Sequence, residues 1–206
     1  MRVQLKPQKR NPERTSVYIN GKFCFGVDKE TLERLGYFTK SEISDTELKK
    51  LFYEAERTQA RNYAFRLLSY RMRTRKEMQD RLRRREYSDQ VKKDVMDELE
   101  KLGLLDDRKF AETFARDRLN YRLKGRRMIS AELIKRGIDN KNIKTALADI
   151  TEENEEEACK QLIRKYSNRY RNLSLSEKKQ KYYGLLTRRG FSYPIIKKAL
   201  KLESEE

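Results

Sequence analysis

Apolar positions in this chain follow two rhythms. Between residues 15 and 27 they fall in short β-rich runs, Thr15-Ser16-Val17-Tyr18-Ile19 and Lys22-Phe23-Cys24-Phe25-Gly26-Val27, joined by Asn20-Gly21. Asn-Gly between two such runs predicts a hairpin, because both turn positions need a positive φ. Val3 and Leu5 supply a third short strand, and Asp28 is placed to cap a short helix, Lys29 to Leu35, that stops at Gly36. From Ser44 on the spacing changes to the three and four residues of a helical face, as in Val91, Val95, Met96, Leu99 and Leu102. Ser44 with Glu47 reads as a capping box opening a long helix that runs to about Tyr70.

The helical part repeats itself. Leu82-Arg83-Arg84-Arg85-Glu86-Tyr87, Leu133-Ile134-Lys135-Arg136-Gly137-Ile138 and Leu186-Thr187-Arg188-Arg189-Gly190-Phe191 share one register, their leucines 51 and then 53 residues apart. Each copy closes a helix on a basic residue, then has a glycine (Glu86 in the first), then a large apolar residue. Met78, Ile129 and Tyr182 stand four residues before the leucines; Met96, Leu147 and Leu200 stand nine residues past the large apolar position. Each unit therefore predicts three short helices: the end of the long helix, 76–85 and 89–102; then 109–123, 127–136 and 140–150; then 153–170, 177–189 and 193–202. Thr74 with Glu77, and Ser174 with Glu177, read as further capping boxes, Ser88 and Asp139 as single caps. The fold class expected is mainly α, an elongated, solenoid-like tandem array of three-helix repeats with a small N-terminal β-hairpin region. The segments expected are an arm over 1–43, the long helix and first repeat over 44–104, a second repeat over 105–150 and a third over 151–206. Helices of ten residues span only ~15 Å, so units this small need their neighbours.

The joint between the first two units is Gly103-Leu104-Leu105-Asp106-Asp107-Arg108-Lys109-Phe110-Ala111. Gly103 closes one helix in the left-handed conformation, Asp106 or Asp107 caps the next, and Phe110 opens its apolar face.

Composition narrows the function. The chain has 206 residues, 40% charged and 36% hydrophobic, with a formal net charge of +17. A thick single core does not fit that balance, and basicity of that size points to a polyanion. Histidine is absent, which excludes His-based triads, HExxH zinc sites and His-dependent acid–base chemistry. Cys24 and Cys159 form no ligand or redox motif, which suits a reducing cytoplasm. No apolar run approaches membrane-spanning length, and no GxxxxGK[ST] phosphate loop occurs. No metal, cofactor or catalytic residue is expected.

The positive charge is clustered. Arg57 to Arg85 holds eleven basic residues, opposed within that stretch by Glu77 and Asp80. A second cluster is Arg116, Arg118, Arg122, Lys124, Arg126 and Arg127, and a third is Lys178, Lys179, Lys181, Arg188 and Arg189. Arginine dominates the first two, and its planar fork takes phosphate or carboxylate bidentately. Tyr70, Tyr87, Tyr121 and Tyr182 lie among them, as stacking platforms for bases or as core and rim residues. The acidic run Glu152, Glu153, Glu155, Glu156 and Glu157 sits at a predicted helix start, where it suits the helix dipole. Arg71, Arg75, Arg122, Lys124, Arg126 and Arg127 are the leading contact candidates, being at equivalent joints of two units. Arg83, Arg84, Lys178 and Arg188 are secondary.

Three segments resemble the RecX family, bacterial regulators of the RecA recombinase. They are Leu68-Ser69-Tyr70-Arg71 through Thr74-Arg75-Lys76-Glu77-Met78 to Leu82; the Gly103–Ala111 joint; and Arg122-Leu123-Lys124-Gly125-Arg126-Arg127-Met128-Ile129 continuing to Ile138. Together they cover about residues 64–150, with Glu86 in place of the expected first glycine and the third unit the most divergent. The resemblance implies a non-enzymatic, cytoplasmic protein of tandem three-helix repeats, and a monomer is expected. It implies binding to the RecA–single-stranded DNA filament and restraint of strand exchange and ATP hydrolysis. Two other readings stand beside it. One is a general nucleic-acid-binding helical repeat; the other is a metal-dependent nuclease on Asp106 and Asp107, whose side chains would project about 100° apart on a helix.

Overall fold

The computed structural model describes residues 1–37, 40 and 42–202, the side chain of Leu202 excepted. Residues 203–206, the end of the range expected for the third repeat, lie outside the described residues. Three antiparallel strands, β1 (Val3–Gln8), β2 (Asn11–Ile19) and β3 (Lys22–Asp28), form a sheet in chain order. Asn20 and Gly21 take φ of 48° and 82°, so the turn is the one the Asn-Gly pair demands. Ten helices follow among the described residues: α1 (Lys29–Arg34), α2 (Asp45–Tyr70), α3 (Arg75–Arg83), α4 (Asp89–Lys101), α5 (Asp107–Asn120), α6 (Arg126–Lys135), α7 (Asn140–Ala148), α8 (Glu152–Tyr170), α9 (Leu175–Arg188) and α10 (Tyr193–Leu202). The mainly α fold of three-helix repeats with an N-terminal sheet is the one expected. No helix among the described residues is long and apolar enough to cross a membrane.

The chain forms two compact units, residues 1–72 with 78–105, and residues 73–77 with 106 onward. In the first unit α2 does two jobs along its 26 residues. Its early residues Leu51 and Ala55 bury against Val3, Val17, Val27 and Leu32 of the sheet and α1. Further along, Ala60 and Ala64 bury against Met78, Leu82, Val91, Val95 and Leu99. The short alanine side chains allow that close approach. In the second unit the last two repeats share one core, with Phe110, Phe114, Ile129 and Leu133 alongside Leu162, Ile163, Leu186, Phe191 and Ile196.

Several local readings change. Ser88 makes no cap with its side chain; its amide and hydroxyl both donate to the Glu56 carboxylate, at 2.6 and 2.7 Å. Asp28 likewise makes no side-chain cap. The helix expected over 109–123 ends at Asn120, and Leu123 takes a left-handed φ of 50°. Glu86 also adopts the left-handed conformation, φ 57°, that its counterparts Gly137 and Gly190 adopt at 83° and 88°. The acidic run does more than meet the helix dipole: Thr151 and Asn154 form a capping box for α8, and Glu155 is 4% exposed.

Candidate nucleic-acid interface

Folding sorts the cationic residues into those it neutralises and those it leaves exposed. In the second unit, Arg118 and Lys124 both grip Glu132, Arg118 at 3.0 Å, and Arg118 also lies 4.2 Å over the Phe114 ring. Burial pushes the Glu132 carboxyl up, but the two cations outweigh it and hold it below the ordinary range. Arg126 folds inward too. Its backbone amide donates to Glu155 at 2.9 Å, its guanidinium sits 3.3 Å from the same carboxylate, and it donates to the Ile150 carbonyl. Arg136 pairs with Glu77 and lies 5.0 Å from the Phe114 ring, a role beyond favouring the helix dipole.

Arg122 and Arg127 remain exposed, as do Arg116 and Arg188, and none of the four has a carboxylate partner among the described residues. Lys178 lines a groove of about 350 Å³ in the third repeat with Arg171, Lys179, Leu175 and Tyr182, and none of its described lining residues is acidic. In the first unit, Arg57 and Arg61 both pair with Glu98, at 3.2 and 2.7 Å, and Arg83 pairs with Asp80 at 2.9 Å. Arg71 and Arg84 are exposed, and the Arg71 guanidinium donates to the Met72 carbonyl at 2.9 Å. Arg73 is buried. Arg75, in the second unit, is exposed, and its amide donates to Asp107.

The joint residues have structural work. Gly103 holds φ of 66° at the end of α4, and Phe110 is buried. The adjacent carboxylates serve two different helices: Asp106 accepts from Lys109 N at 2.8 Å, capping α5, and Asp107 accepts from Arg75 N at 2.8 Å, at the start of α3. No group of three or more His, Cys, Asp or Glu gathers in metal-holding geometry among the described residues. Burial pushes the Cys159 thiol well above its ordinary pKa, so it behaves as a core residue.

One signal in the sequence was missed. The first helix of each repeat ends in Tyr-Arg: Tyr70-Arg71, Tyr121-Arg122 and Tyr170-Arg171. Tyr70 and Tyr121 are 77% and 81% exposed, whereas Tyr170 packs edge-on to the buried Tyr182 at 5.3 Å. Tyr87 is half-buried. The first two repeats thus present a ring beside a guanidinium, and the third does not.

Four family models match the chain: the N-terminal domain of regulatory protein RecX over residues 4–44, and the first, second and third RecX three-helix domains over 60–99, 106–147 and 153–200. The chain is 33% identical to the regulatory protein RecX of Bacillus velezensis, over 97% of this chain and 76% of that one. It is 28% identical to that of Clostridium botulinum, over 97% and 94%. A crystal structure of a regulatory protein RecX superposes with a TM-score of 0.71 at 26% identity, covering 95% of this chain and 97% of that one. RecX from Lactobacillus salivarius gives 0.68 at 32%, covering 73% and 98%.

Proposed function

Because this chain belongs to the RecX family of regulatory proteins, we propose that it binds the RecA–single-stranded DNA filament and restrains strand exchange and ATP hydrolysis. On this reading it is a binding protein and not an enzyme. The observation that supports it most is the set of arginines left exposed at the ends of the first helices and the starts of the second. Arg71, Arg75, Arg122 and Arg127 form the leading contacts, with Arg188 and Arg84 beside them. Lys124 and Arg126, which sequence position places in the same set, act instead on the fold through Glu132 and Glu155. Guanidinium forks suit both the phosphates of the strand and acidic side chains on the recombinase.

The direct test is RecA-driven strand exchange with the purified protein added well below the amount that coats the DNA. Exchange should fall, and an unchanged rate refutes the proposal. Alanine at Arg71, Arg75, Arg122 and Arg127 together should relieve that inhibition with the melting temperature nearly kept. The exposed Tyr70 and Tyr121 favour a second reading, in which the chain holds naked single strands by stacking bases. Binding to RecA-coated against naked DNA separates the two: the first predicts a strong preference for the coated strand.

A further inference from the structure

The first unit gathers a basic cluster that sequence order scatters. Arg14 on β2, Arg66 on α2 and Arg85 just past α3 line one cavity of about 390 Å³, together with Tyr63, Tyr87 and, among the described residues, a single acid, Asp28. Elsewhere in this unit Arg57, Arg61 and Arg83 are met by carboxylates. Arg14, Arg66 and Arg85 make no ion pair among the described residues.

Arg14 is the most telling of the three. It stands directly across from Asp28 in the β2–β3 register, yet the two do not pair. Its guanidinium lies instead over Gly26, where an added Cβ would stand 3.0 Å from Arg14 Nε. That Nε–H is buried and has no acceptor among the described residues. A buried donor without an acceptor is costly, and an anion held beside this guanidinium would offset part of that cost. Arg85 and Arg66 are held by Tyr63, with guanidinium carbons 4.7 and 5.7 Å from its ring centre. Stacking on a ring leaves the N–H groups in the guanidinium plane free to point at a ligand. Three lining guanidinium groups against one lining carboxylate leave an excess near +2, with Glu56, beyond Tyr87, engaged by the Ser88 amide and hydroxyl. A single peptide carboxylate under-fills that; a phosphate group, or successive phosphates of a strand, matches it in charge and in acceptor geometry. The cavity is also of ligand-pocket size.

We propose that this cavity is a phosphate-binding site, with Arg14, Arg66 and Arg85 as the donors. The shared chemistry is a phosphate group, carried either on a nucleic-acid strand or on a free nucleotide. The site gives the N-terminal sheet a direct part in binding, which the repeat clusters alone do not.

The test needs no RecA, so its failure leaves the regulatory reading standing. Binding of a labelled single-stranded oligodeoxynucleotide is measured against salt for the full chain, Arg14→Gln, the exposed pair Arg66→Gln/Arg85→Gln, and Lys93→Gln as a one-charge control matched to Arg14→Gln. Each lost phosphate contact removes about 0.7 from the salt slope and about fivefold in affinity at ~0.1 M salt. The pair should therefore bind about 25-fold more weakly with a slope reduced by about 1.4, and Lys93→Gln should change neither by that much. In a second arm, a nucleoside monophosphate is titrated while the amide signals of Gly26 and Tyr63 are followed. Shifts there that vanish in the variants, with strand binding unchanged, assign the site to a free nucleotide. Strand binding and amide signals that are the same in all variants overturn the proposal. Because Arg14 is half-buried, the decisive variant is the exposed Arg66/Arg85 pair, whose own melting should be near native.

Discussion

Two middle helices of the repeats, α6 and α9, begin in opposite ways. The first amides of α6 are met by other elements of its unit. Gly125 N donates to Arg189 O at 2.9 Å, Arg126 N to Glu155 at 2.9 Å and Arg127 N to Gly190 O at 3.2 Å. Gly125 makes no side-chain cap, and a Cβ there would stand 2.5 Å from Gly190 O. The start of α9 completes itself, with Ser174 and Glu177 in a capping box. That helix has 14 residues against 10 in α6, an extra length of about one turn. At the start of α3 the arrangement is intermediate. Thr74 Oγ1 accepts from Glu77 N at 3.1 Å and donates to Arg136 O at 2.8 Å, and the Glu77 carboxylate holds Arg136. Arg136 and Arg189 are equivalent by the repeat register. The same docking of a helix start on a helix end is thus made once with a hydroxyl and an ion pair, once with backbone groups joined by a bond from the Arg189 guanidinium to Arg122 O at 2.9 Å. A helix start with four unmet amides can be completed from within or from outside. At α6, where completion comes from outside, the second and third repeats form one compact unit with a shared core.

That contrast sets the size of the expected mutational effects. Gly190→Ala should be the most damaging: φ is 88°, and the new Cβ would stand 2.4 Å from Met128 N. Left-handed strain and overpacking together should cost about 3 kcal/mol or more. Gly103→Ala, left-handed but in open space, should cost only about 1 to 2 kcal/mol by the same denaturant unfolding. Equal losses at the two glycines would remove the backbone contact from the explanation. Glu155→Gln comes next, because it takes a buried carboxylate from both the amide and the guanidinium of Arg126. Since the Arg126 side chain is 40% exposed, water offsets part of the loss, leaving about 1 to 3 kcal/mol in chemical denaturation. Thr74→Val should cost about 1 kcal/mol, read from the shift in the urea midpoint, because one hydroxyl serves two backbone groups there.

The smallest effect is a pH effect at α9. Hydrogen bonds from the Ser174 hydroxyl and backbone hold the fully exposed Glu177 carboxyl below its ordinary value of 4.5. A depressed folded pKa means its stabilisation is complete above that value and fades as pH falls through the folded one. Comparing acid unfolding of the native chain with Ser174→Ala should show a shallower loss in the variant below about pH 4.5. Identical acid curves would mean the Ser174 hydroxyl contributes nothing to holding the Glu177 carboxylate.

Sequence reasoning read the local elements well where local chemistry decides them. Asn20-Gly21 forms its turn, Ser44 and Ser174 form their capping boxes with Glu47 and Glu177, and Asp139 caps α7. Even the departure at Glu86 keeps the left-handed conformation, because the next residue, Tyr87, packs against the core of the first unit. It failed where a partner comes from far along the chain. Ser88 gives its donors to Glu56, 32 residues away, and Arg126 is drawn in by Glu155, 29 residues away. The basic clusters were read as larger than they are for the same reason. Glu98 neutralises Arg57 from 41 positions away, and Glu132 neutralises Arg118 and Lys124 across a helix corner.

Sequence by itself therefore determined the repeat register, the helix and strand types, the family and the sign of the charge. The family rests on the resemblance of three segments; the others rest on period, propensity and composition, which act over a few residues or over the whole chain. Tertiary structure alone decided which cations are spent inside the fold and which face outward, and it brought Arg14, Arg66 and Arg85 to one cavity. Ion pairing depends on distances of a few ångströms between side chains, and no spacing along a chain encodes those until the helices have packed.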